Sequence, residues 1–235
     1  MTITELLKRY SLFFISVMLQ GVAISFITFA NIGTTPISST NYVLSLHSSL
    51  TLGETTFIFN LLLIQLQIML ICFGEEKLKD HLFKLFMELP VCVIFSFMID
   101  IATILLQYTL PSDLNYISCW ALVILGTIML ALAVALSVTS NVAMVPGEYF
   151  IKIFHPLVKK SFSFVKTYFD ILLVSSAVLL SLFLTGFSSI EGVREGTLFA
   201  ALTTGPLVHF FIPFCAKLVP FLKSPLKGGF VHMCG

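Results

Sequence analysis

The chain has 235 residues, of which 57% are hydrophobic and only 11% charged, with a mean hydropathy of +1.02; soluble domains carry roughly 25% charged residues. This balance excludes an ordinary soluble domain and puts the chain among membrane proteins. A formal net charge of +1 leaves no basic surface for nucleic acid. Five scattered cysteines, Cys72, Cys92, Cys119, Cys215 and Cys234, have neither a Cys-x-x-Cys pair nor a histidine at ligand spacing, so no disulfide framework, zinc site or other cofactor is indicated.

Lys8 and Arg9 precede an apolar run longer than a signal-peptide core and without a small-residue cleavage site, which predicts a retained first span. Further apolar windows give six predicted spans, at about 10–30, 54–73, 84–106, 115–137, 164–185 and 196–219. Six spans place both termini on one side, and with that side cytoplasmic, 12 of the 13 Lys and Arg residues are cytoplasmic and only Arg194 is outside. The expected protein is an all-α polytopic membrane protein in lipid, one membrane domain over 1–235. Its halves are 10–106 and 115–219, joined at Pro111-Ser112-Asp113, with a cytoplasmic tail at 220–235.

Two segments interrupt this pattern. No Lys, Arg, Asp or Glu lies between Arg9 and Glu54, and residues 31–53 hold Asn31, Gly33, Pro36 and Asn41 in a Ser/Thr-rich run. The corresponding stretch, 138–162, contains Asn141, Pro146 and Gly147. Non-helical backbone at membrane depth is tolerated only inside protein or beside a water-filled cavity. With three spans per half, the halves form an inverted repeat in which each has a re-entrant segment. If both segments instead cross the membrane, there are eight spans and the halves run parallel.

Ionisable groups inside a span cost about 2.5–3.5 kcal/mol each and call for a reason. Asp100 has Arg194 as its expected partner, either as a structural pin between the third and sixth spans or as a gate. Lys166 and Asp170 are four residues apart on one helix face, and Glu148 lies on the same predicted inner side, so the three could form a polar cluster at the cavity's cytoplasmic end or an interfacial salt bridge. Glu88, beside Pro90, reads as interfacial. Asn60 and Gln67 share a face of the second span, as polar glue between helices. Thr197, Ala201, Gly205 and His209 recur every four residues as a small-residue stripe that ends in a histidine.

The motifs Ile32-Gly33-Thr34-Thr35-Pro36-Ile37-Ser38-Ser39, Tyr42-Val43-Leu44-Ser45 and Leu50-Thr51-Leu52-Gly53 resemble the first half of the YczE/YyaS/YitT family of bacterial membrane proteins. In the second half, Pro146-Gly147-Glu148, Val165-Lys166 with Asp170, and Arg194-Glu195-Gly196-Thr197 with Gly205-Pro206 follow in the same order. Ser96 and Ser163 stand where that family suggests glycine, and Tyr149-Phe150 where it suggests smaller residues that would leave a cavity wider. The resemblance implies a multi-pass protein of the bacterial cytoplasmic membrane and no defined activity.

No Gly-x-Ser-x-Gly, His-Glu-x-x-His, Walker or Gly-x-Gly-x-x-Gly motif is present, so an enzyme is not expected. The leading expectation is a permease for a small solute or ion that is not driven by ATP. Its cavity or gate would draw on Asn31, Gly33, Pro36, Asn41, Asn60, Asp100, Asn141, Pro146, Gly147, Glu148, Lys166, Asp170, Arg194 and His209. The alternative is a non-transporting scaffold that binds a membrane-protein partner, or a second copy of itself, through helix contacts.

Overall fold

The computed structural model describes residues 3–73, 78–111, 114–160 and 162–217, without the side chains of 78–80, 162 and 163. Predicted features at Ser112, Asp113, the Ser163 side chain, Cys234 and the tail 220–235 lie outside the described residues.

Among the described residues eight α-helices follow in order: α1 (Ile3–Phe29), α2 (Ser39–Leu46, entered through a 3-10 turn at Pro36–Ser38), α3 (Leu52–Phe73), α4 (Leu78–Thr109), α5 (Tyr116–Ser140), α6 (Pro146–Leu157), α7 (Phe162–Leu184) and α8 (Glu195–Ala216). Six of them, α1, α3, α4, α5, α7 and α8, are long and apolar enough to cross a bilayer. α1 extends past its predicted window through Arg9 and Lys8 to Ile3, and α4 past its own to Leu78 and Thr109. α2 and α6, at 8 and 12 residues, rise only about 12 and 18 Å and cannot cross. The eight-span alternative is thereby set aside. Each half reads long, short, long, long, and three crossings per half invert the second half relative to the first.

The two interrupted segments start alike. The chain leaves α1 through Asn31, two residues past Phe29, with φ +55°, and leaves α5 through its C-cap Asn141 with φ +50°, both in the left-handed region that asparagine tolerates better than most residues. Five residues on, a proline opens the next helical turn, Pro36 the 3-10 turn that leads into α2 and Pro146 α6 itself, at a position where a missing N–H costs nothing.

α1 and α5 pack along each other at the centre, α4 flanks α1 and α8 flanks α5. The close approaches are made by glycines: a Cβ on Gly21 would meet α4 at the Phe95 carbonyl, and one on Gly126 would meet α1 at the Ala23 carbonyl. Ser25 Oγ donates to the Ile99 carbonyl at 2.8 Å and so ties α1 to α4 in a setting without competing water. α3 packs on α4, while α2 and α6 are each held between α3 and α7.

Candidate functional site

The short helices enter from opposite sides and meet inside the bundle. Thr40, at the start of α2, donates from Oγ1 to the Leu173 carbonyl (3.1 Å), at the middle of α7, and lies 3.0 Å from Ser176 Oγ. At the start of α6, the Pro146 carbonyl accepts from Gln67 Nε2 of α3 at 2.9 Å. Between these two points Ile37 Cδ1 lies against Gly147 so closely that any Cβ on residue 147 would overlap it. The polar residues of the first segment are enclosed by protein: Thr34, Thr35, Ser38, Ser39 and Asn41 are all buried. Thus irregular backbone sits at depth only where protein covers it.

On the side where α1 ends, hydrogen bonds seal the bundle. The Gly196 N–H donates to the Ile32 carbonyl (2.8 Å) and the Thr34 N–H to Thr197 Oγ1 (3.0 Å). Gly33, at φ +141°, has no room for a Cβ because Thr197 and Gly196 lie against it. His47 Nε2 at the end of α2 is 3.4 Å from the Glu191 carboxylate in the α7–α8 loop.

Asp100 and Arg194 do not pair, contrary to the expectation from sequence. Asp100 accepts from Thr51 Oγ1 and from the Gly53 N–H, both at 2.8 Å, at the first turn of α3. Thr51 and Glu54 form a reciprocal capping box there, Thr51 N–H to Glu54 Oε2 at 2.9 Å and Glu54 N–H to Thr51 Oγ1 at 3.1 Å. The positive end of α3 therefore takes the carboxylate that Arg194 was expected to hold. Arg194 instead donates from Nη1 to the Asn31 carbonyl (3.3 Å) and lies 3.6 Å from Glu195. Arg9 makes the equivalent bond at the other end, from Nη1 to the Ser140 carbonyl (3.1 Å), so an arginine meets the C-terminus of both central helices.

The side where α1 begins is open. A cleft of about 340 Å³ runs between α1, α4, the end of α5 and α6, and Tyr10, Lys84, Glu88, Asn141, Glu148 and Lys152 are among its lining residues. Glu88 is 2% exposed, which corrects its reading as interfacial. Gln67 Nε2 donates to Glu88 Oε2 at 3.1 Å and to the Pro146 carbonyl at 2.9 Å, and so joins α3, α4 and α6 at one point. His81 Nδ1 and the Tyr149 hydroxyl, 2.7 Å apart, add a second link between α4 and α6.

Lys166 and Asp170 form the expected pair at 3.6 Å. Glu148 joins them electrostatically: burial pushes its carboxyl up from the ordinary value, Lys166 pulls it back and Asp170 pushes it further up. Asn60 is buried, with no partner for Nδ2 among the described residues. The stripe on α8 is only partly used within the chain. Thr197 is buried against Thr34, whereas Ala201, Gly205 and His209 are exposed and nothing lies within 4 Å of where a Gly205 Cβ would stand.

The arrangement therefore brings together Asn31, Gly33, Pro36 and Arg194 near the sealed end, Pro146 and Gly147 at the meeting point, and Asn141 and Glu148 at the cleft. His209 is apart from all of these. No signal in the sequence separated a buried Glu88 from an interfacial one, because its partner Gln67 lies on another helix.

A family model described as a family of unknown function, DUF6198, matches residues 7–213. No curated protein and no solved structure matches the chain.

Proposed function

From the premise that the chain belongs to DUF6198, a family of unknown function, with six membrane-span helices, we propose that it is a permease for a small solute or ion that works by alternating access. The observation that carries this reading is the unequal state of two equivalent ends: hydrogen bonds close the bundle at Ile32, Thr34, Asp100 and Arg194, while a cleft opens at Asn141, Glu88 and Glu148. Inverted repeats with broken helices build midplane sites and expose them in turn to each side. We place the cleft on the cytoplasmic side by the distribution of Lys and Arg, and the protein in the bacterial cytoplasmic membrane among relatives of the YczE/YyaS/YitT type. Neither ATP nor a resident cofactor enters the reading, and no catalytic role is assigned.

A second reading is favoured by the exposed Ala201, Gly205 and His209 of α8, on which a helix of another chain could pack. The experiment that separates the two is an uptake screen in proteoliposomes with wild type, Asp170→Asn and Gly205→Leu. Transport predicts flux in wild type that Asp170→Asn abolishes while the fold is kept. A scaffold predicts no flux and loss of co-purifying chains in Gly205→Leu alone.

A further inference from the structure

We infer that the floor of the cleft is a binding site for a primary ammonium group, with Glu88 as its counter-charge. Gln67 Nε2 faces two acceptors, Glu88 Oε2 and the Pro146 carbonyl, so its amide can be placed only one way round and its Oε1 is left as an acceptor. Gln67 Oε1 and Glu88 Oε1 are both buried without a hydrogen-bond partner among the described residues. Gln67 is 0% and Glu88 2% exposed, and Glu88 lines the cleft. Buried polar atoms of native proteins are paired almost without exception. Gln67 lies behind the lining, so the unpaired oxygen at the cleft is that of Glu88, and a carboxylate oxygen without a partner calls for a donor that brings positive charge.

The charges around Glu88 agree. Lys84 on its own helix and Lys152 on α6 line the cleft but are exposed. α1 contributes Tyr10, and α6 contributes Glu148 and Tyr149, the latter bonded to His81. Cys92 is one turn along α4, and α3 supplies only the neutral Gln67. Near the cleft Glu148 and Asp170 share the ammonium of Lys166, and the buried Arg9 is bonded to Glu5 and to the Ser140 carbonyl, so among the described residues Glu88 has no ion-pair partner. A bare metal cation would need about six oxygen ligands. An ammonium has three N–H donors, and Tyr10, Phe83, Met87 and Tyr149 in the lining supply apolar surface for its alkyl chain. The cleft's volume, about 340 Å³, suits a small molecule.

This names the substrate class of the proposed permease and rests on that reading for its transport meaning only. Binding is measured without flux, so either can fail alone. The probes are n-butylammonium, n-butanol as its uncharged analogue and tetramethylammonium as a cation without N–H donors, added to the purified protein in detergent. The expected result is a concentration-dependent rise in Tm with n-butylammonium alone, lost in Glu88→Gln. In wild type, bound n-butylammonium should also slow activation of Glu88 by a hydrophobic carbodiimide, read by peptide mass spectrometry as the sum of N-acylurea and butylamide at that residue, which places the amine even if Glu88→Gln does not fold. The inference is overturned by an absent rise, by an equal rise with tetramethylammonium or butanol, by a rise that Glu88→Gln keeps, or by carbodiimide modification that the amine does not slow.

Discussion

Ile37 touches Gly147, and the two are equivalent positions of the repeat: 147 − 37 = 110, the same offset that separates Asn31 from Asn141 and Pro36 from Pro146. The two short segments therefore meet at matched positions of their sequences, beside the central pair of α1 and α5.

Because the atom that a Cβ on Gly147 would meet is Ile37 Cδ1, the movable end of a side chain, Gly147→Ala should destabilise the fold by no more than about 1 kcal/mol, the low end of the cost of overpacking. Adding Ile37→Val should recover a good part of that loss. A double-mutant cycle by denaturation in mixed micelles measures the coupling; purely additive effects would mean that the two residues do not touch.

Asp100 caps α3 rather than pairing with Arg194. Asp100→Ala should therefore cost about 2–3 kcal/mol, as expected for a pair of hydrogen bonds to a charged group, and Arg194→Ala less than about 1 kcal/mol. The double variant should be additive within about 0.5 kcal/mol, whereas a large coupling energy would restore the ion pair.

Burial raises the Glu148 carboxyl above its unfolded value of 4.5. Above that pH the folded chain binds more protons at this site than the unfolded chain, so folding stability falls as pH rises through the folded value. Glu148→Gln removes this dependence. The Tm of the variant relative to wild type should thus increase from pH 5 to pH 8, and a difference that stays flat or decreases contradicts the assignment.

The orientation proposed from the charge distribution predicts sidedness. Ser48, just beyond α2, and Leu157, at the end of α6, are both exposed. As single cysteines in a background without native cysteines, Ser48→Cys should react with a membrane-impermeant maleimide from outside the cell and Leu157→Cys only after the membrane is opened. The reverse pattern would invert the topology.

Much of this architecture was legible in the sequence. Apolar length located all six spans, because a helix in lipid needs about 20 apolar residues and little else. Asn31 and Pro36, repeated as Asn141 and Pro146, marked both re-entrant segments, since each residue type is suited to its backbone position. The pairing of Asp100 was not legible. Its partner is a backbone N–H and a hydroxyl at a helix start, and these carry no formal charge for a pattern search to match. Glu88 was missed for a related reason: its partner Gln67 is 21 residues away on another helix, and only packing decides whether a carboxyl near a span's end is wet or enclosed. Lys166 and Asp170 were found because an i,i+4 pair is set by helix geometry alone.

The central claim is that two short helices enter from opposite sides and touch at Ile37 and Gly147, and disulfide cross-linking tests it most directly. With Cys72, Cys92, Cys119, Cys215 and Cys234 replaced, the Ile37→Cys/Gly147→Cys protein should form an intrachain disulfide on mild oxidation in native membranes, while a control with Ser48→Cys in place of Ile37→Cys should not. A folded double variant that yields no cross-link, or a control that cross-links equally well, would contradict the account.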